Sequence, residues 1–185
     1  MRYYKVLLLN CTDPSEPSEV AFLGEFFKMI QLRYPKSVQY KQKEIKSKKV
    51  LKKALSKKWA NVIHISAHGD SEKYPSGRRG KQTSIEIGED DVTSDYISTL
   101  KSLNADLVFV SACFNSYQDM AKAFLGLNVN HYLAPKTNVD WIQAALFSTM
   151  FYKRYLWDKT SFKAAYNYAC VHTKSGKDFP EFWYL

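Results

Sequence analysis

Two stretches decide how this chain folds: NVIHISAHGD at residues 61–70 and ADLVFVSACFNS at residues 105–116. Each runs apolar and then stops abruptly in small and polar residues. The runs VIHIS (62–66) and LVFV (107–110) show no regular polar alternation. They read as strands buried on both faces, the signature of a parallel sheet. YKVLLLN at residues 4–10 reads the same way.

Around these strands the spacing turns helical. Residues 19–34 place Val20, Leu23, Phe26, Phe27 and Ile30 on one face, and Pro35 ends the run. Residues 47–60 set Val50, Leu51, Ala54, Leu55 and Trp59 opposite a lysine face. Further helices are expected over 94–103, capped by Thr93 or Ser94, and over 117–125, 140–156 and 161–172. Residues 37–43 suit an edge strand guarded by lysine. Residues 84–87 suit part of a small hairpin, and 131–133 a short strand closed by Pro135. Residues 70–81, rich in glycine and charge, read as an exposed loop. Alternation of strands and helices predicts an α/β fold with a mostly parallel sheet and helices on both faces. The chain divides into one domain, residues 1–174, and an aromatic tail, residues 175–185. Phe179, Phe182, Trp183 and Tyr184 of that tail are expected to pack on the domain.

At 185 residues the chain can bury a core without staples. Its three cysteines, Cys11, Cys113 and Cys170, are odd in number and widely spaced. That argues against a disulfide framework and for a reducing compartment. No cysteine–histidine group has zinc spacing, and neither a metal nor a cofactor is expected. The opening residues lack a signal-peptide pattern, and no apolar run approaches the ~20 residues of a membrane span. The expectation is a soluble, cytoplasmic protein with no membrane partner. The net charge of +9 draws on nine lysines between residues 41 and 58, against one acid, Glu44. That run has no arginine and few aromatics beside it, so it reads as a solvated helix face, without direct nucleic-acid binding.

In an open parallel sheet, ligands bind beyond the carboxyl ends of the strands. Three strand ends belong there: NCTD (10–13), SAHGD (66–70) and SACFNS (111–116). If the last two strands are adjacent, His68 and Cys113 sit on neighbouring loops. A thiol must lose its proton to attack a carbonyl, and an imidazole can take it. Gly69 lets a substrate backbone approach closely. Its N–H, with that of Cys113, can donate to a developing oxyanion. A cysteine after a strand is also an ordinary small buried residue, and spacing alone leaves both readings open.

Taken together, the two blocks resemble the paired signatures of the CHAT and caspase-like cysteine peptidases. In that family one apolar strand ends in His-Gly and the next in Ser-Ala-Cys or a close variant. The segment AFLGLNVNHYLAPKTNVDWIQAALFSTMFYKRYL (123–156) is similar to the family's passage from helix through short strand to a loop containing Trp and Asp, and on to a long helix. The resemblance spans residues 5–169. It implies a caspase-like three-layer sandwich of about six strands and an intracellular cysteine endopeptidase with no metal in the chemical step. It implies Cys113 as nucleophile, His68 as general acid/base, and the backbone N–H groups of Gly69 and Cys113 as oxyanion hole, without a firm third member. It further implies a protein substrate, an activating protein as a second partner, and a role in bacterial antiviral defence or cell death. Caspases carry Gln two before the nucleophile and Arg-Gly after it, and metacaspases carry Asp; here Ser111 precedes and Phe-Asn-Ser (114–116) follows. The CHAT branch fits better, and strict aspartate specificity does not.

Asp13 and Asp140 are the acids able to face an S1 pocket beside the dyad, where a carboxylate favours a basic side chain. Ser111 and Trp141 complete the substrate-binding candidates, Trp141 as an apolar wall. Each acid has an alternative as a turn or helix cap. His64 lies about 13 Å from His68 along a strand and is expected in the core. Cys11 is expected to pack and His131 to be structural. Cys170 and His172, two apart on a helix, share no face. Arg78, Arg79 and Lys81 mark the basic point where autoprocessing can occur. Two rival functions are a catalytically silent caspase-like interaction module and an anion- or nucleic-acid-binding protein using the 41–58 lysines.

Overall fold

The computed structural model describes residues 3–73, 79–113, 115, 118–173 and 182–184. In chain order the elements are β1 (Tyr4–Asn10), α1 (Glu19–Arg33), β2 (Val38–Glu44), α2 (Lys48–Leu55), β3 (Val62–Ser66), β4 (His68–Lys73), β5 (Arg79–Ile87), β6 (Asp90–Thr93), α3 (Ser94–Ser98), β7 (Ala105–Ser111), α4 (Gln118–Leu125), β8 (Val129–Pro135), α5 (Trp141–Tyr152), a π-helical turn (Lys153–Trp157), α6 (Phe162–Thr173) and β9 (Phe182–Tyr184). The main sheet has six strands in the order β2-β1-β3-β7-β8-β9. The first five run parallel, and β9 pairs antiparallel with β8.

The doubly buried runs read from the sequence are the three central strands. Their alternate residues feed two separate cores. Val6, Leu8, Val62, Leu107 and Phe109 face Val20, Leu23 and Phe27 of α1, Phe147 and Phe151 of α5, and Ala165 of α6. Leu7, Leu9, Ile63, Ile65, Val108 and Val110 face Leu51, Ile97, Met120 and Phe124 from α2, α3 and α4, together with Ile85 and Val92. Fully burying one such side chain is worth roughly 1.5–3 kcal/mol, so both faces of the sheet are closed by helices and three layers result.

Local signals set the helix ends. Ser18, Ser47, Thr93 and Asp140 cap α1, α2, α3 and α5, each accepting a hydrogen bond from a backbone N–H of the first turn. The helix expected over 94–103 stops at Ser98, and the one expected over 140–156 ends in the π-helical turn.

The largest departure from the sequence reading is at residues 68–93. Residues 70–81 were expected as a loop, but 68–73 and 79–87 form β4 and β5 of a second, antiparallel sheet with order β4-β5-β6. His68 and Gly69 therefore open a strand. The small hairpin expected near 84–87 is present as β5 and β6, joined through Gly88 and Glu89, with Gly88 at φ +62°. A positive φ at the first turn position suits a two-residue hairpin and favours glycine. Arg78 lies outside the described residues, and Arg79 lies within the paired strand β5.

Candidate active site

β3 and β7 are neighbours, paired from Val62 with Leu107 to Ser66 with Ser111. His68 and Cys113 each follow that last pair by two residues, at the same edge of the sheet. The strands stay tied beyond it, because the Ala67 N–H donates to the Ser111 carbonyl at 3.1 Å. Gly69 then passes directly against the cysteine segment. A Cβ there would sit 3.0 Å from the Cys113 nitrogen and 2.5 Å from Asn115 Nδ2, and would collide with the Cys113 carbonyl oxygen. The protein's own backbone, rather than a substrate's, is what requires glycine at this position.

A third segment, between β8 and α5, reaches both predicted catalytic side chains. The Val139 N–H donates to Cys113 Sγ at 3.5 Å, and the sulfur lies 3.8 Å from the Val139 carbonyl oxygen. Two residues on, the Trp141 ring meets the His68 ring edge-on with centroids 5.3 Å apart. The imidazole has a second partner: His68 Nε2 lies 2.7 Å from Glu16 Oε2, both side chains being part-exposed. No hydrogen bond joins Cys113 to His68 among the described residues; Val139 holds one and Glu16 the other.

Two contributors escaped the sequence reading. Glu16 lies in the turn after β1, where an acid gives no signal to separate a histidine partner from a solvated charge. Asn115 is fully buried. Its Nδ2 donates to the Cys113 carbonyl and to the Ser84 carbonyl of β5, each at 3.0 Å, and its own carbonyl accepts the Tyr132 hydroxyl at 2.7 Å. It thereby ties the cysteine segment to both sheets. Its only mark in the sequence is a polar residue two places after Cys113.

The remaining site candidates separate. Asp13 lines a cleft of about 410 Å³ with Glu16, Glu86, Lys46 and His68. Its carboxylate accepts from the Ser15 hydroxyl at 2.6 Å and the Ser15 N–H at 2.8 Å, which hold its carboxyl below the ordinary value. Asp140 caps α5, accepting from the Gln143 N–H at 2.9 Å. Ser111 is buried, and its hydroxyl has no partner among the described residues. Trp141 stands at His68, where an apolar wall was expected. Phe114 and Ser116 lie outside the described residues.

Elsewhere the polar residues are structural. His64 is fully buried, with Nε2 2.8 Å from Glu19 and Nδ1 2.9 Å from the Tyr152 hydroxyl. Burial, reinforced by Glu44, pushes the Cys11 thiol up to about 12. His131 stacks on Phe162, and His172 lies against Tyr168. Lys49, Lys52 and Lys53 are exposed on α2, opposite its buried Leu51, Ala54 and Leu55, and that helix covers the sheet face away from α5. No helix among the described residues is long and apolar enough to cross a membrane.

A family model described as CHAT domain matches residues 12–183. Among solved structures, a structural-genomics target protein from Geobacter sulfurreducens superposes with a TM-score of 0.53 at 12% identity, covering 100% of this chain and 93% of the other. The separase–securin complex of Saccharomyces cerevisiae matches with a TM-score of 0.50 at 18% identity, over 85% of this chain and 10% of the matched chain. At these identities the likeness is one of fold. A search of curated proteins finds no match.

Proposed function

This chain belongs to the CHAT-domain family and has a caspase-like α/β fold, and from that premise we propose that it is a cysteine endopeptidase with Cys113 as nucleophile and His68 as acid/base. The observation that carries this proposal is the meeting of three chain segments. Gly69 lies against the Cys113 backbone, while Val139 and Trp141 touch the sulfur and the imidazole.

The chemistry assigns a task to each group. Glu16 occupies His68 Nε2, so Nδ1 is the nitrogen that exchanges a proton with Cys113. His68 takes the thiol proton, and the thiolate attacks the scissile carbonyl carbon to form a C–S bond. The N–H groups of Gly69 and Cys113 receive the oxyanion; losing one such donor typically costs about 10²–10³ in rate. The C–N bond breaks as His68 protonates the leaving amine. Water, giving its proton to His68, then cleaves the thioester and restores the thiol. The separate anchoring of Cys113 and His68 in the free protein accords with catalytic hydrogen bonds that tighten only when substrate is bound.

The cleft carries three carboxylates, Asp13, Glu16 and Glu86, against one lysine, Lys46, a balance that supports a basic side chain next to the scissile bond. Of the residues named from the sequence, Ser111 is buried at the end of β7 and Asp140 caps α5, which leaves Asp13 and Trp141 as the substrate-facing ones in this proposal. A dedicated protein substrate, an activating protein, a cytoplasmic location and a role in defence or cell death belong to the same proposal and rest on the family resemblance. The presence of both His68 and Cys113 at one sheet edge weighs against a silent module.

The test is labelling by a peptidyl acyloxymethyl ketone with arginine next to the warhead, on the purified chain and in lysate of cells expressing it. Covalent capture of Cys113, absent in Cys113→Ala and at least tenfold slower in His68→Ala, is the expected result. A Cys113 that stays unlabelled in both settings refutes the peptidase.

A further inference from the structure

An apolar groove of about 330 Å³ runs between the start of α1 and the outer face of α5. Pro17 and Phe22 line it on the α1 side, and Trp141, Ile142 and Leu146 on the α5 side. Its main side chains are open to water: Ile142 is 73% exposed, Phe22 54% and Leu146 46%. Adjoining exposed apolar side chains of this size mark a binding surface.

The position of the groove indicates what it binds. Trp141 belongs to the groove, and its ring packs against His68. On the other wall Pro17 directly follows Glu16, whose carboxylate holds His68 Nε2. The groove thus adjoins the proposed catalytic site through Trp141 and, one residue along the chain, through Pro17, yet it shares no lining residue with the acid-lined cleft. The size of the groove suits one or two peptide side chains.

We propose that this groove is a substrate subsite that takes a bulky apolar side chain, such as Leu, Met, Phe or Trp, lying two or three residues from the scissile bond. An extended peptide advances about 3.3 Å per residue, so a side chain two or three residues away lies roughly 7–10 Å from the scissile bond, beyond the Trp141 ring whose centroid is 5.3 Å from that of His68. The inference rests on the peptidase proposal and deepens it. The preferred substrate carries a basic residue at the cleft and an apolar residue at the groove.

The experiment selects a displayed random dodecapeptide library on the Cys113→Ala chain, and again on the same chain carrying Ile142→Ser and Leu146→Ser. Both positions are solvent-facing, and circular dichroism checks that the fold is kept. The first selection is expected to enrich a large apolar residue at fixed spacing from Lys or Arg. The enriched peptides should bind the groove variant about tenfold more weakly, as befits a lost hydrophobic pocket contact. Enrichment without an apolar position, no enrichment, or equal binding by both forms overturns the proposal.

The enriched peptides are then offered to the chain with Cys113 intact, with and without the groove substitutions. Cleavage slowed about tenfold by the substitutions supports the subsite. Equal cleavage of both forms removes the subsite and leaves the peptidase standing. Groove-dependent binding without cleavage removes the peptidase instead, and with it the assignment of the groove to substrate. Concentration-dependent dimerisation in sedimentation velocity, abolished by the two substitutions, would give the groove to a second copy and overturn the proposal.

Discussion

At the scale of single residues, the site depends on contacts the protein makes with itself. Gly69→Ala forces a Cβ into the Cys113 carbonyl and the Asn115 amide. Because these atoms carry the proposed nucleophile, the proposed peptidase activity is expected to fall by about 10² or more, since small displacements of reacting groups are that expensive in rate. Asn115→Ala leaves the Ser84 and Cys113 carbonyls without their donor. A thermal melt should show a loss of about 1–3 kcal/mol. Glu16→Gln should behave differently. Its pair with His68 is part-exposed, and such pairs contribute about 0–1 kcal/mol, so kcat should drop while Tm scarcely moves. An unchanged kcat would remove Glu16 from the mechanism. How much was legible differs among these residues. His68 and Cys113 stand out because each follows the end of an apolar strand by two residues. Glu16 and Asn115 do not, because a loop acid and a loop amide acquire their partners only through tertiary approach.

At the scale of elements, the central strands were legible because burial on both faces leaves an unbroken apolar run, and most helices because burial on one face leaves a period. β4 and β5 were not. They pair in a small antiparallel sheet, and charged and glycine residues there erase the alternation that would mark them. β9 was missed for another reason: three residues are too few to carry a period, and the long-range register with β8 creates the strand. The cap of α1 has a consequence beyond the helix. The Ser18 hydroxyl accepts from the Val20 N–H at 3.1 Å and donates to Asn10 Oδ1 at 2.8 Å, fastening the turn that bears Asp13 and Glu16 to the end of β1. Ser18→Ala is expected to cost about 0.5–2 kcal/mol of stability and to weaken activity through Glu16. Denaturant titration and turnover on one substrate check both.

At the scale of the whole molecule, titration separates the interior from the site. Cys11 keeps its proton in the folded chain up to about pH 12, whereas an unfolded thiol loses it near 9.0. Burial, then the nearby charge of Glu19, likewise raises the Tyr152 phenol, and burial with Asp119 raises Tyr132. The unfolded chain therefore binds fewer protons in this range, and stability falls as pH rises from about 9 to 12. Cys11→Ala should flatten the lower part of that decline in urea titrations across the range. The lysine face is served by the other core. Replacing Lys49, Lys52 and Lys53 with glutamine should leave both fold and turnover unchanged; a fall in turnover would tie that face to catalysis.

The main sheet finishes on unequal flanks. On one side β2 presents Lys41 and Lys43 along its outer rim, with Lys41 drawn over the Trp59 ring at 4.2 Å. On the other, a three-residue strand runs against the direction of its neighbour. Charge repels an incoming strand at the first flank, and brevity gives it little to grip at the second. Copies of this molecule are thereby steered away from stacking backbone to backbone into filaments through the rims of the main sheet.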